Sequence, residues 1–242
     1  MNGSAYIHEF VDIIGHHRAN YMHHVTANWS PVAQEERDQR CFGVFAVLGS
    51  TGRWPQVCNL WEHSSWSGLA EAFAIEAVGA GAQDPTLTKW WAAASQFRSG
   101  GADRLLRPAP WSRTIEQLCA DGVTGQCYAH DLITVRGGTD REYLERLHGE
   151  LDRRTPPGFE LAAAFSTAMA NDNEVILLWA VRTWQDWAAS EQDAADRARS
   201  SWQRADHDLV LSRHRILLVD APLSPLRTHR QPCRADRTEW TE

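Results

Sequence analysis

The chain has 242 residues, 43% of them apolar, and a formal net charge of −7. That length fills a sizeable core, as one large domain or two small ones, and the acidic balance argues against a nucleic-acid partner, which needs a basic stripe to displace counterions from phosphates. The five cysteines, Cys41, Cys58, Cys119, Cys127 and Cys233, include no C-x-x-C pair, so neither a zinc framework nor a disulfide scaffold is indicated. No basic-then-apolar leader opens the chain, and the uncharged stretch CFGVFAVLGSTG is too short and too glycine-interrupted to cross a bilayer. The expectation is a reduced cytoplasmic protein with no membrane partner.

In chain order, residues 5–13 (AYIHEFVDI) read as a strand closed by glycine. Met22, Val25 and Trp29 then form the apolar stripe of a helix. CFGVFAVLG and QVCNLWEH read as second and third strands, SWSGLAEAFAIEAV as a helix capped by Ser65, and RLLRPAP as a fourth strand stopped by Pro108. After a linker at 113–126, the same order returns: a strand at 127–135, a helix striped by Leu144, Leu147 and Leu151, and strands ELAAAFSTAM and EVILLWAV. The helical TWQDWAASEQDAADRARSSW opens at Thr183, and the strand RILLVDAP is stopped by Pro222.

The landmarks repeat as well as the pattern. Tyr6, His8, Glu9, Gly15 and Tyr21 meet Tyr128, His130, Asp131, Gly137 and Tyr143 at one offset. NLWEHSSW (59–66) meets LLWAVRTW (177–184), and LLRPAPWS (105–112) meets LLVDAPLS (217–224). Each copy has the order β-α-β-β-α-β, a ferredoxin-like unit whose sheet carries helices on one face. The fold class expected is α+β: two tandem ferredoxin-like units packed sheet to sheet as an α+β barrel. The repeats span 1–112 and 127–225, and a polar tail, 226–242, is expected to be disordered or to clasp a neighbouring subunit.

Tyr6, Glu9, Tyr21, GSTGRWPQVCNLWEHSSW and the second copies around Tyr128 and Trp179 resemble the NIPSNAP family of the dimeric α+β barrel superfamily, over roughly residues 5–225. The resemblance implies the barrel fold and a superfamily of heme enzymes, cofactor-free monooxygenases, isomerases, cyclases, dehydratases and non-catalytic stress proteins. It carries over no catalytic motif, and HHRANYMHH departs from the family pattern.

Candidate site residues therefore rest on the side chains themselves. In GHHRANYMHH, His16–His23 and His17–His24 are seven apart, about 10.5 Å along a helix, too far to share one ion. A solvated helix face is expected, and no metal. His8 and His130 hold equivalent places in buried first strands, where an imidazole suits proton transfer. Asn59, Trp61 and His63 alternate onto one face of the third strand, where the sister copy has Leu177, Trp179 and Val181. One copy is polar where the other is plain core. Glu9 and Asp131 alternate to the face opposite the histidines and read as ion-pair partners for arginine.

These residues point to a cofactor-independent small-molecule enzyme working between the sheet and helices of the N-terminal copy. His8 and His63 would be acid and base, Asn59 or Tyr21 would orient the substrate, and Trp61, Trp66, Trp90, Trp91 and His130 would line the pocket. The expected chemistry is isomerisation, dehydration or cyclisation of a hydrophobic or aromatic metabolite. Two alternatives stand beside it: a non-catalytic binder of heme or a lipid-like ligand, and a cofactor-free monooxygenase. A homodimer is the expected assembly.

Overall fold

The computed structural model describes residues 2–77, 84–169, 173–196 and 206–237. Eight strands are found: β1 (Ala5–Ile13), β2 (Gln39–Val47), β3 (Gln56–His63), β4 (Arg98–Pro108), β5 (Cys127–Val135), β6 (Phe159–Thr167), β7 (Glu174–Val181) and β8 (Val210–Asp220). They close into one antiparallel barrel in the order β1-β3-β2-β8-β5-β7-β6-β4. Each repeat supplies four consecutive strands of the ring, centred on β1 and β5 with their third-strand neighbours. The copies are joined where Phe45–Val47 pair with Leu218–Asp220 and where Leu106–Pro108 pair with Phe165–Thr167. A closed ring leaves no sheet edge. The two expected sheets are thus one barrel, closed within a single chain.

In this ring β1 and β5 stand opposite each other and run the same way, so the duplication becomes an approximate two-fold axis along the barrel. Alternation decides what faces that axis. Tyr6, His8, Phe10, Tyr128, His130 and Leu132 point inward, with Phe45, Cys58, Leu60, Phe165, Ile176, Leu178 and Leu218. The outward residues carry the helices. Outside the first repeat, the helix α1 (Arg18–His23) widens through a π-type segment, His24–Trp29, and continues as α2 (Ser30–Arg37). The expected stripe, Met22, Val25 and Trp29, is buried against Val44, Val57 and Trp61. Two more helices follow, α3 (Trp66–Glu76), capped by Ser65 as expected, and α4 (Pro85–Ala94). In the second repeat, Tyr143, Leu144 and Leu147 of the helix Asp140–Gly149 pack on Leu177 and Trp179. The helix from Trp184 is described to Asp196, and the rest of that expected helix lies outside the described residues.

Three expectations change. The strands β4 and β8 begin at Arg98 and Val210, well before the apolar runs at their ends. Pairing with β1 and β5 holds polar sequence such as Arg98–Asp103 in extended form. The stretch 113–126 is more than a linker. Its helix, Ile115–Ala120, opens with a Thr114/Gln117 capping box and buries Ile115 and Leu118 against the Tyr6 end of the barrel. The tail, described to Arg237, clasps its own chain. The Cys41 N–H donates to Gln231 Oε1 (2.9 Å), and Gln231 Nε2 donates to the Cys41 carbonyl (2.8 Å), where β2 runs ahead of its pairing with β8. Arg234 adds an ion pair to Glu35 on α2.

Candidate functional site

The register of β1 sorts the candidate residues onto two faces. Across β3, Glu9 lies opposite Asn59 and His8 opposite Leu60. Opposed residues of an antiparallel pair share a face. Glu9, Asn59, Trp61 and His63 therefore look toward the helices, whereas His8, with Cys58 and Leu60, looks into the barrel. His8 and His63 lie on opposite sides of the sheet and cannot act on one substrate. That corrects the expected acid–base pair.

On the helix face, Asn59 is the hub. Its Nδ2 donates to Glu9 Oε2 (2.9 Å) and to the Tyr21 hydroxyl (3.0 Å), and Trp61 Nε1 donates to the same Glu9 Oε2 (2.8 Å). Both bonds to Glu9 end on Oε2, and no described residue bonds its Oε1. Asn59 Oδ1 is buried without a partner. Burial raises the Glu9 pKa, and the Asp103 charge raises it further. Asp103 sits directly across the β1–β4 pair from Glu9. Burial pushes the Tyr21 phenol well above its usual value, aided by the Glu9 charge.

The second copy answers each of these residues with a different chemistry. Asp131 accepts from Trp179 Nε1 (3.1 Å), as Glu9 does from Trp61, but its cross-strand neighbour on β8 is Arg215. Arg215 binds it through two nitrogens, at 2.6 and 2.8 Å. Burial works against that carboxylate, yet Arg215 holds its pKa below the ordinary value. Leu177 replaces Asn59, and Arg213 reaches the Tyr143 hydroxyl at 2.9 Å from the place of Gly101. Two arginines fill this face across from β5 in one copy; across from β1 in the other stand Gly101 and Asp103, with Arg98 further along β4 acting on Glu9 and Tyr21.

Aromatic groups border the polar cluster. Trp90 and Trp91 of α4 and Phe97 pack on the core that holds Trp61. His24 is not solvated as expected: its ring lies flat on Trp90 (5.2 Å, 5°), and burial lowers its pKa. Arg98 stacks over Trp91 at 4.1 Å. Trp66 is 41% exposed at the start of α3 and belongs to no described aromatic cluster. His63 is buried, but it follows Asn59 by four residues, about 13 Å along the strand. Burial lowers its pKa, opposed by the Asp38 carboxylate.

Inside the barrel the duplication brings His8 and His130 face to face. Their Nε2 atoms are 2.9 Å apart, and Cys58 Sγ is 3.4 Å from His8 Nε2. Burial keeps both imidazoles neutral, His130 down to about 4. A heme does not fit at these nitrogens. They face each other, the rings stack at 5.1 Å, and Phe10 packs edge-on against both, so a planar macrocycle has no approach.

Of the residues expected to form one site, Asn59, Tyr21 and Trp61 come together, with Trp90 and Trp91 in the same core. His8 and His130 form a second cluster, and His63 and Trp66 stand apart. The cluster's carboxylate is Glu9, which feels the Arg98 charge but accepts from Asn59 and Trp61, and no local sequence pattern marks Asp103 or Cys58.

The eight-stranded ring with helices outside it decides the architecture. The fold is that of the dimeric α+β barrels. A putative monooxygenase from Lactobacillus acidophilus NCFM is similar at 10% identity, over 96% of this chain and 97% of that one, with a TM-score of 0.60. An anthrone oxidase-like protein is similar at 10% identity, over 90% and 91%, with a TM-score of 0.58. NIPSNAP-family proteins are also among the structural neighbours; a NIPSNAP-like domain protein from Burkholderia xenovorans aligns at 16% identity over 47% of this chain and 92% of its own, with a TM-score of 0.38. No protein-family model and no curated protein matches the sequence. Among the described residues no helix is long and apolar enough to cross a membrane.

Proposed function

We propose that the chain is a small-molecule enzyme whose proton-transfer site lies between the sheet and the helices of the N-terminal repeat. Glu9 is the general base and acid. Asn59 and Trp61 hold its Oε2, which leaves Oε1 to exchange a proton with the substrate. Tyr21 fixes Asn59, and Trp90, Trp91 and Phe97 supply apolar walls for a hydrophobic or aromatic body. The reaction class is proton abstraction from, and return to, a carbon acid, as in isomerisation, dehydration or cyclisation, with no cofactor required.

One observation carries this reading: Glu9 faces Asp103 where its sister, Asp131, is clamped by Arg215. A structural carboxylate is neutralised, as Asp131 is. A carboxylate set beside a second one in a partly apolar surround binds its proton more tightly than an ordinary carboxylate does. The same abstraction would generate the electron-rich carbanion that dioxygen attacks, so cofactor-free monooxygenation is the second reading. The structural likeness to a putative monooxygenase and an anthrone oxidase-like protein favours testing it.

Anthrone, an aromatic carbon acid, serves as the probe. Deuterium uptake at its methylene carbon in heavy water, followed by NMR, is expected to accelerate with the protein and to fall about 100-fold or more with Glu9→Gln. His63→Ala should leave the rate unchanged. Equal rates for Glu9→Gln and the unaltered chain contradict the proposal. Label from ¹⁸O₂ in the product would select the oxygenase reading.

A further inference from the structure

The barrel interior holds a second constellation, on the opposite face of β1 and independent of the proton-transfer reading. His8 Nε2, His130 Nε2 and Cys58 Sγ all lie within 4.8 Å of one another, and all three side chains are buried. The duplication explains two of them. Residues related by a two-fold axis that point along the barrel radius must meet at the axis, and His8 and His130 do. The third breaks the symmetry, since the sister of Cys58 is Ile176. Two imidazoles and one thiol lie among Phe10, Leu60, Ile176 and Leu178, with Arg104, ion-paired to Glu174, across the β1–β4 pair from His8.

Two neutral imidazoles facing through Nε2 share one proton between them. Moving that proton to Nδ1 frees both Nε2 lone pairs toward Cys58. Neutral imidazoles with converging lone pairs are what a metal ion takes. Donors bound to one first-row ion at about 2.0–2.3 Å stand roughly 3.3–3.8 Å apart. The His8–Cys58 separation of 3.4 Å already meets this, and the 2.9 Å between the imidazoles needs to open by about half an ångström.

The geometry points to a buried, three-coordinate site for a monovalent thiophilic ion, Cu(I), held by His8, Cys58 and His130. Ligand softness and charge select the ion. A thiolate with two imidazoles is a soft set. Binding Cu(I) displaces the thiol proton to solvent and forms the Cu–S bond, so the loaded site is neutral, as an apolar interior demands. Zn(II) would leave one uncompensated positive charge and lack a fourth protein ligand. Access is from the barrel mouth at Phe10 and Leu132, both half-buried, which the Arg104–Glu174 ion pair borders.

The test is anaerobic competition of the reduced full-length protein with bicinchoninate for Cu(I), followed by copper-edge X-ray absorption. The expected result is one Cu(I) per chain with two nitrogens and one sulfur in its shell. Cys58→Val should weaken affinity at least 100-fold, and Cys233→Ser, at an exposed cysteine, should not change it. Circular dichroism checks that Cys58→Val is folded, and the absorption spectrum of the unaltered chain stands even if it is not. No binding, a shell without sulfur, loss of binding in Cys233→Ser, or Zn(II) held as tightly as Cu(I) would each overturn the assignment.

Discussion

Asp103 on β4 occupies the place that Arg215 occupies on β8, each directly across the strand pair from an acidic residue of the central strand. The surrounding residues change in the same sense: Gly101 for Arg213, and Asn59 for Leu177. The duplicated fold keeps its Trp61/Trp179 landmarks but alters the charges around one carboxylate. The C-terminal face is a neutralised, filled scaffold. On the N-terminal face Glu9 keeps an acidic neighbour, and the Arg98 charge offsets its burial only in part.

Giving the N-terminal copy its sister's arginine should therefore silence it. Asp103→Arg places a guanidinium opposite Glu9, and an ion-paired carboxylate is a weaker base. Deuterium exchange on anthrone should drop at least about 10-fold, with the thermal midpoint unchanged or higher. An unaltered exchange rate would show that the Asp103 charge has no part in the site.

Glu62 gives the pH dependence a sign. It is buried at the plugged end of the barrel, where it accepts from the Tyr6 hydroxyl (2.7 Å) and the Ile115 N–H (2.9 Å). Burial raises its pKa, although those donors oppose the shift. The folded state thus binds this proton more tightly than the unfolded chain does. Its contribution is fully present below the ordinary carboxylate pKa and is lost as pH rises through the raised one. Glu62→Gln should flatten stability against pH in that window, read by urea unfolding at several pH values; an unchanged slope would exclude Glu62 as its source.

The tail clasp is open to a direct test. Gln231→Ala removes both hydrogen bonds to the Cys41 backbone. Leaving that donor and acceptor unpaired should cost about 1–2 kcal/mol in chemical denaturation. A change indistinguishable from zero would mean that the clasp adds nothing to stability.

Much of this architecture is written in local patterns. β-rich segments, repeated in order, place β1, β3, β5 and β7 at 5–13, 56–63, 127–135 and 174–181, as found. The repeat itself flags Asn59, because Leu177 is its sister. What stays hidden is register. Nothing in RSGGAD announces a strand, so Asp103 was not seen beside Glu9. Glu9 and Asp131 hold equivalent places, so the sequence offers no reason to give them different partners. His8 and His63 seemed compatible because each lies on a buried strand, and only the pairing of His8 with Leu60 puts them on opposite faces. The meeting of His8 with His130 needs the closed ring, a property of the whole chain.

The central claim, that the two sister carboxylates do different jobs, needs no substrate to be tested. Urea unfolding of Glu9→Gln and Asp131→Asn, each against the unaltered protein, compares them directly. Asp131→Asn strands the partly buried Arg215 charge and should cost about 3 kcal/mol. Glu9→Gln relieves a carboxylate of its acidic neighbour and should leave stability equal or higher. A loss for Glu9→Gln as large as that for Asp131→Asn would contradict the account, because Glu9 would then be scaffold too.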